Sequence, residues 1–419
     1  MITEDILLKM VVDKYLTSGD FNGFPICCIE GRDEMKIKVL IKRLIQDCKV
    51  DVVFGDYHPN PHVKAFETDT REEQISKLDG DLFSQACIYP HPDHLKNIVD
   101  QSKYKDIPFT LCLALGEPRL SYKPFDLTIL EIYRNDPRYY YYNDDIHGRI
   151  GITDKYSESA QMSKSDQVFL ETFGFCYDEE FNRYIAAYLG YLSRLSPEHQ
   201  LIWNSKKISL KTYLHPDYWR TTLGHWPERT SIFSAFMEEQ RIINQIAQQI
   251  DRPPFFKCVF TNHNRPREFG FLLRPTLSEY NDFVLLLDKT ISENINKAFF
   301  QSEVPYEDEE IREDGKIIIK PRGTLRILEE WLKANFITSD WDLIEDMFKT
   351  FKKIRKQRQK PAHAINENSF DNKYIHEQRE LMKSSYRAMK ILRTIFQNHP
   401  LANGIKISQR VDEGKIWSL

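Results

Sequence analysis

The sequence lacks any apolar run of membrane-spanning length. It opens MITEDILLKM, with acids where a secretory leader carries bases ahead of an apolar stretch. These two absences predict a soluble, cytoplasmic protein with no membrane partner. Net charge is also scarce. Lys and Arg number 58 against 62 Asp and Glu, a formal charge of -4 over 419 residues. A chain-wide polyanion binder is excluded, so any nucleic-acid site must be a local patch. Seven cysteines, at 27, 28, 48, 87, 112, 176 and 258, make an odd number with no CxxC pair. That argues against a disulfide framework or a zinc ribbon. Glu30-Gly31-Arg32 sits where a phosphate-binding turn would, but lacks the glycines of either nucleotide fingerprint. No internal repeat and no low-complexity linker is present, and no cofactor is implied.

With 41% apolar residues, a chain of this length predicts two or three domains with real cores. Residues 1–155 read as α/β. Strands are expected at Phe24–Ile29, Val50–Phe54, Ala86–Tyr89 and Phe109–Leu115, with helices at Glu34–Cys48 and His94–Gln101. This alternation predicts a mostly parallel sheet. Leu127–Arg134 and Tyr139–Tyr142 add further strands. Residues 156–275 read as mainly helical, with Phe181–Leu195 carrying a spine of Ile185, Leu189 and Leu192, and a second helix at Ser231–Ile250. Arg252-Pro-Pro254 ends that helix, and Phe255–Phe260 reads as a strand. Residues 276–402 read as an all-α bundle: Glu279–Phe300, Leu325–Phe336 with Thr324 as N-cap, a helix from Asp340 to about Lys360, and a last one at Tyr374–Gln397. Between the first two lies a loop or small hairpin, Val304–Arg322. Residues 403–419 form a tail.

The chemistry concentrates in Arg358-Gln-Lys-Pro-Ala-His363. The helix before it has Asp340, Asp342, Glu345 and Asp346 at its start and Lys349, Lys352, Lys353, Arg355, Lys356, Arg358 and Lys360 at its end. Part of this is ordinary matching of the helix dipole. The phase says more. Ile344, Phe351 and Arg358 are seven apart, so Arg358 projects from the packing face, where a guanidinium needs a partner or a cleft. Pro361 disturbs the helix, which lets His363 turn back toward Arg358. Arg is permanently charged and grips phosphate with a planar fork, whereas His exchanges a proton near neutral pH. Those are the two functions that a phosphodiester beside a 2′-hydroxyl requires. The bland alternative is a basic helix end with His363 capping a carbonyl.

Two long helices carrying Arg-x4-His at their junction resemble the HEPN superfamily, whose common ribonuclease motif is Arg-x4-6-His. The form RQKPAH also resembles HEPN modules of bacterial toxins and abortive-infection proteins. The resemblance covers about residues 276–400. It implies metal-independent RNA cleavage between two HEPN units, hence a homodimer, with 2′,3′-cyclic phosphate and 5′-hydroxyl products. It casts Arg358 as the phosphate clamp and His363 as the proton carrier. Arg355, Lys356, Gln359, Lys360 and Asn366 become the expected RNA contacts. By analogy the chain is a toxin or antiviral effector, silenced by an antitoxin or released by a phage-derived trigger. Many HEPN modules dock partners without cleaving, so a noncatalytic binding protein remains the second reading.

A third reading is a metal-dependent enzyme. His58-Pro-Asn-Pro-His62 and His91-Pro-Asp-His94 follow successive strands and bring four imidazoles, with Asp56 and Asp93, to one edge of the first domain. The competing reading is turn chemistry, with Asp93 capping a helix. The run Asp136–Asp145, with four tyrosines, reads as half-buried strand before base-stacking platform. Asp126 and Glu131 lack the lysine of a metal nuclease. His215, His225 and His263 are isolated in turns.

Overall fold

Ile37, Ile41, Leu44 and Ile45 recur at steps of three and four, so a helix places them on one face. That helix forms over Glu34–Gln46, and all four side chains are buried. The computed structural model describes every residue except 1, 30–32, 160–161, 263, 312–313, 315, 339–340, 360–366 and 419. The chain divides into two compact units, one of residues 1–141 and 147–226, the other of 142–146 and 227–419. Among the described residues, no helix is long and apolar enough to cross a membrane.

The first unit contains helices α1 (Glu4–Thr17), α2 (Glu34–Gln46), α3 (Arg71–Lys77), α4 (Pro92–Ile98) and α5 (Pro108–Ala114). These are followed by α6 (Glu131–Asn135), α7 (Asp154–Ser157), α8 (Leu189–Leu192), α9 (Pro197–Ser205) and α10 (Pro216–Thr221). A small sheet of β1 (Phe24–Pro25), β2 (Val50–Val53) and β3 (Cys87–Pro90) has the order β1-β3-β2. Leu7 and Val11 of α1, the α2 stripe, and Val50, Val52 and Ile88 close one core. The larger sheet holds β4 (Tyr122–Phe125), β5 (Tyr139–Asn143), β6 (His147–Ile152), β7 (Phe169–Tyr177), β8 (Arg183–Tyr188) and β9 (Tyr213–Leu214). Its order is β4-β8-β7-β6-β5, with β9 added on β7.

The mostly parallel sheet expected for the N-terminal region is not what forms. Both β1 and β2 run antiparallel to β3, and the β4–β8, β8–β7, β7–β6 and β7–β9 pairs are antiparallel as well. Two of the expected strands are helices. Phe109–Ala114 lies in α5, with Leu115 as its C-cap; α5 starts on Pro108, and a proline at the first helical position is a start signal. Leu127–Arg134 is a 3-10 turn running into α6, with the Asp126 carboxylate accepting from the Thr128 N–H at 2.9 Å. Without them the strand–helix alternation that suggested parallel pairing is gone.

The middle region, expected to be mainly helical, also carries strands. Phe181–Leu195 is β8 followed by the single turn α8. Its spine of Ile185, Leu189 and Leu192 is fully buried, but so are Ala186, Ala187 and Tyr188. A central strand covered on both faces reads as a continuous apolar run, which periodicity cannot tell from a buried helix. Phe255–Phe260 forms no strand. It contributes one bridge, Phe256 to Ile295.

The second unit joins β10 (Thr230–Ser231) in parallel to β13 (Ile416–Trp417) of the tail. Its helices are α11 (Ile232–Gln249), α12 (Leu277–Asp288), α13 (Thr324–Asn335), α14 (Asp342–Gln359), α15 (Lys373–Gln397) and α16 (Gln409–Asp412). The helix expected over Glu279–Phe300 breaks after Asp288 into a π-helical turn, Lys289–Glu293, and then a 3-10 turn, Lys297–Phe300. The acidic stretch forms a hairpin of β11 (Glu307–Ile311) and β12 (Ile317–Pro321), so the region is not purely helical. Gly323, not Thr324, is the N-cap of α13. Apolar faces of α11, α12, α14 and α15 share one core, in which Phe255 packs edge-on to Phe299 and Phe396.

Gly174 on β7 pairs with Ala186 and has the Tyr218 ring against its Cα hydrogens. A Cβ there would lie 2.2 Å from the ring. Gly174→Ala should therefore cost at least about 1–3 kcal/mol, the range for overpacking a core. Gly151→Ala, whose added Cβ would meet only ordinary contacts at 3.7 Å and beyond, is the control. Chemical denaturation of the two variants checks the difference.

Candidate functional site

A carboxylate on the buried stripe of an amphipathic helix demands a partner. Asp288 is such a residue. It follows Tyr280, Val284 and Leu287 along the packed face of α12 and is 1% exposed. Its partner is Arg358, which enters from the last turn of α14 along the face that buries Ile344 and Phe351. Arg358 Nη1 donates to Asp288 Oδ2 at 2.7 Å. Ser292 Oγ donates to the other carboxylate oxygen at 2.5 Å. The expectation that Arg358 sits on the packing face and needs a partner describes this geometry.

The same nitrogen of Arg358 also pairs with Glu293. The π turn makes this possible. In an α-helix, residues five apart point about 140° away from each other. An i→i+5 turn brings the fifth residue back over the first, so 288 and 293 share a face. The turn widens the backbone and frees carbonyls, and side chains take them up. Gln240 of α11 donates to the Thr290 carbonyl at 2.7 Å, Thr324 of α13 donates to that of Ser292, and Lys257 donates to that of Glu293 at 2.8 Å. Asn294 locks the exit through Cys258, accepting from its N–H and donating to its carbonyl.

The two acids differ. The Asp288 side chain is buried, whereas that of Glu293 is 44% exposed and that of Arg358 is 29% exposed. Both raise the Arg358 pKa, Asp288 first, by hydrogen bonds to its charged form. Among the described residues, only Nη1 of the guanidinium is engaged. The Nε–Nη2 edge, which grips phosphate side-on, is not.

His363, Lys360 and Asn366 lie outside the described residues. Lys356 and Gln359 are exposed and Arg355 is half-buried on the same last turns of α14. Lys352 is tied to Glu329 at 2.7 Å and Lys349 to Asp346 at 3.0 Å. The cations are therefore not equivalent, and Lys356 faces solvent at the Arg358 end of the helix.

The histidine loops have other employment. His91 is itself the N-cap of α4, its Nδ1 accepting from the Asp93 N–H at 3.1 Å. His215-Pro-Asp217 repeats the device on α10, again at 3.1 Å. The helix is thus capped by the imidazole, not by Asp93. His58 Nδ1 accepts from the Asn60 N–H at 3.2 Å, and His62 lies 3.6 Å from the Cys87 thiol. His94 is half-buried, and burial, with Lys49 and His91 nearby, lowers its pKa. Among the described residues, no three His, Cys, Asp or Glu side chains are grouped to hold a metal ion. Glu30-Gly31-Arg32 lies outside the described residues.

Asp288 and Glu293 were missed in the sequence because the stretch reads as one continuous helix. The available signal was the acid on its buried stripe. No family model matches the chain, and neither a curated protein nor a solved structure is similar to it.

Two outcomes test this geometry. Arg358→Ala should destabilise the second unit by about 1–3 kcal/mol, because it leaves Asp288 buried and unpaired. Adding Asp288→Asn should restore part of the loss, a coupling that a double-mutant cycle in denaturant measures. His91→Ala should cost about 1 kcal/mol as a lost cap, and His215→Ala more, because its imidazole is also fully buried. Urea midpoints report that cost.

Proposed function

We propose that the chain is a metal-independent endoribonuclease of HEPN type, with Arg358 as phosphate clamp and His363 as proton carrier. One observation carries the reading. Arg358 is held by its Nη1 at the end of a basic helix, with its phosphate-gripping edge unengaged among the described residues, five residues before a histidine. The 2′-oxygen attacks phosphorus as the bond to the 5′-oxygen breaks. One imidazole takes the 2′-hydroxyl proton and another returns one to the leaving 5′-oxygen. Two such histidines come from two copies, so the working form is a homodimer. Lys356, Arg355, Gln359, Lys360 and Asn366 track the RNA backbone, which makes activity fall as salt rises. The natural setting is the cytoplasm, as a toxin or antiviral effector that an antitoxin or a phage-derived trigger controls, a role resting on analogy alone.

A second reading has its own support. The guanidinium already faces two carboxylates, a net negative surround that disfavours phosphate. In that case the helices serve as an RNA- or partner-docking module without cleavage.

The test is cleavage of RNA by the purified protein in EDTA. Under the first reading, products carry 2′,3′-cyclic phosphate ends. His363→Ala then loses about 10²–10⁴-fold in rate, the usual worth of a placed proton carrier. RNA bound but left intact by the wild type supports the docking module. EDTA-sensitive cleavage that survives His363→Ala ends the proposal.

A further inference from the structure

The π turn puts two acids of unequal mobility on one guanidinium, and the inequality suggests a division of labour. Asp288 is sealed in the core, and both of its oxygens are hydrogen-bonded, one by Arg358 and one by Ser292. Releasing it would strand a buried charge. Glu293 is the opposite case. Its side chain is nearly half exposed, and its only described hydrogen-bond donor is Arg358 Nη1. Its backbone carbonyl is held separately by Lys257, so the carboxylate can swing out while the turn stays in place. Water solvates it at little cost once it leaves.

Charge separates the two states. With both acids in place, the group of Asp288, Glu293 and Arg358 sums to one negative charge. A phosphate approaching the Nε–Nη2 edge meets that excess at close range. With Glu293 withdrawn, Asp288 and Arg358 sum to zero, the repulsion is gone, and the fork keeps its orientation through Nη1. We infer that Glu293 is a displaceable counter-charge that closes Arg358 to nucleic-acid phosphate until the phosphate itself, or a partner, draws the carboxylate away, while Asp288 is the fixed positioning residue. The inference rests on the reading of Arg358 as a phosphate clamp, and it assigns to that site a built-in restraint. The arrangement needs the π turn: with α-helical spacing, Glu293 would point away and Arg358 would stand permanently open.

The experiment measures binding of a fluorescent, 2′-O-methylated oligoribonucleotide by anisotropy, and cleavage of its unmodified counterpart in EDTA. It uses the full chain as wild type, Glu293→Gln, Arg358→Ala and the double variant. Glu293→Gln should bind about two- to fivefold more tightly, the size expected from removing one partly exposed charge contact. Cleavage at subsaturating RNA should rise in proportion. The gain must vanish in the double variant, because it acts only through Arg358, and a general change in surface charge would persist there. If Arg358→Ala weakens binding but Glu293→Gln binds no better than wild type, the counter-charge is refuted and the clamp stands. If Arg358→Ala binds as the wild type does, the clamp reading and the inference fall together.

Discussion

The buried carboxylate of Asp288 is the constraint around which the candidate site is built. A charge on the apolar stripe of α12 is tolerable only if a cation reaches it and its second oxygen finds a donor. Arg358 and Ser292 supply these. Meeting the first demand ties the end of α14 to the end of α12. Meeting the second involves the helix's own next turn, which has shifted to i→i+5 spacing. That shift frees backbone carbonyls, and α11, α13 and Lys257 donate to them. Side chains from α11, α13 and α14 thus converge on this one stretch of chain.

The same requirement explains why the guanidinium is held in one orientation. An arginine on a free helix end samples many rotamers and gives little directional grip. Here Nη1 is fixed, and the side-on edge is presented from a turn whose neighbours include an exposed lysine. A structural ion pair and a pre-oriented phosphate clamp are not competing descriptions, since preorganisation is what a binding fork requires. Under the proposed reading, Glu293 sets the balance between them.

Histidine in this chain shows how a residue type often read as catalytic can serve architecture. His-Pro-Asp occurs twice, and each time the imidazole caps a helix whose first residue is the proline. The proline has no N–H to satisfy, and the imidazole nitrogen takes the next one. The four histidines of the first unit's loops therefore belong to turn and cap geometry, each with its own local contact or burial, and do not converge as a ligand set. His363 differs in context: it comes after a basic helix and a guanidinium that already has a buried anchor.

Much of the helical content was legible in the residues themselves, including α2, α11, α14 and α15, as was the hairpin within Val304–Arg322, because spacing, caps and prolines act within one element. Arg358's need for a partner was legible for the same reason, through its phase with Ile344 and Phe351. What the linear pattern could not carry was anything set by a neighbour distant in the chain. Strand direction was one such property. Another was the strand identity of Arg183–Tyr188, since burial on both faces erases the alternation that marks a strand. The last was the π turn that aligns Glu293 with Asp288. Periodicity reports which side of an element avoids water. Only packing decides what waits on that side, and here it was a carboxylate pair that no local spacing announces.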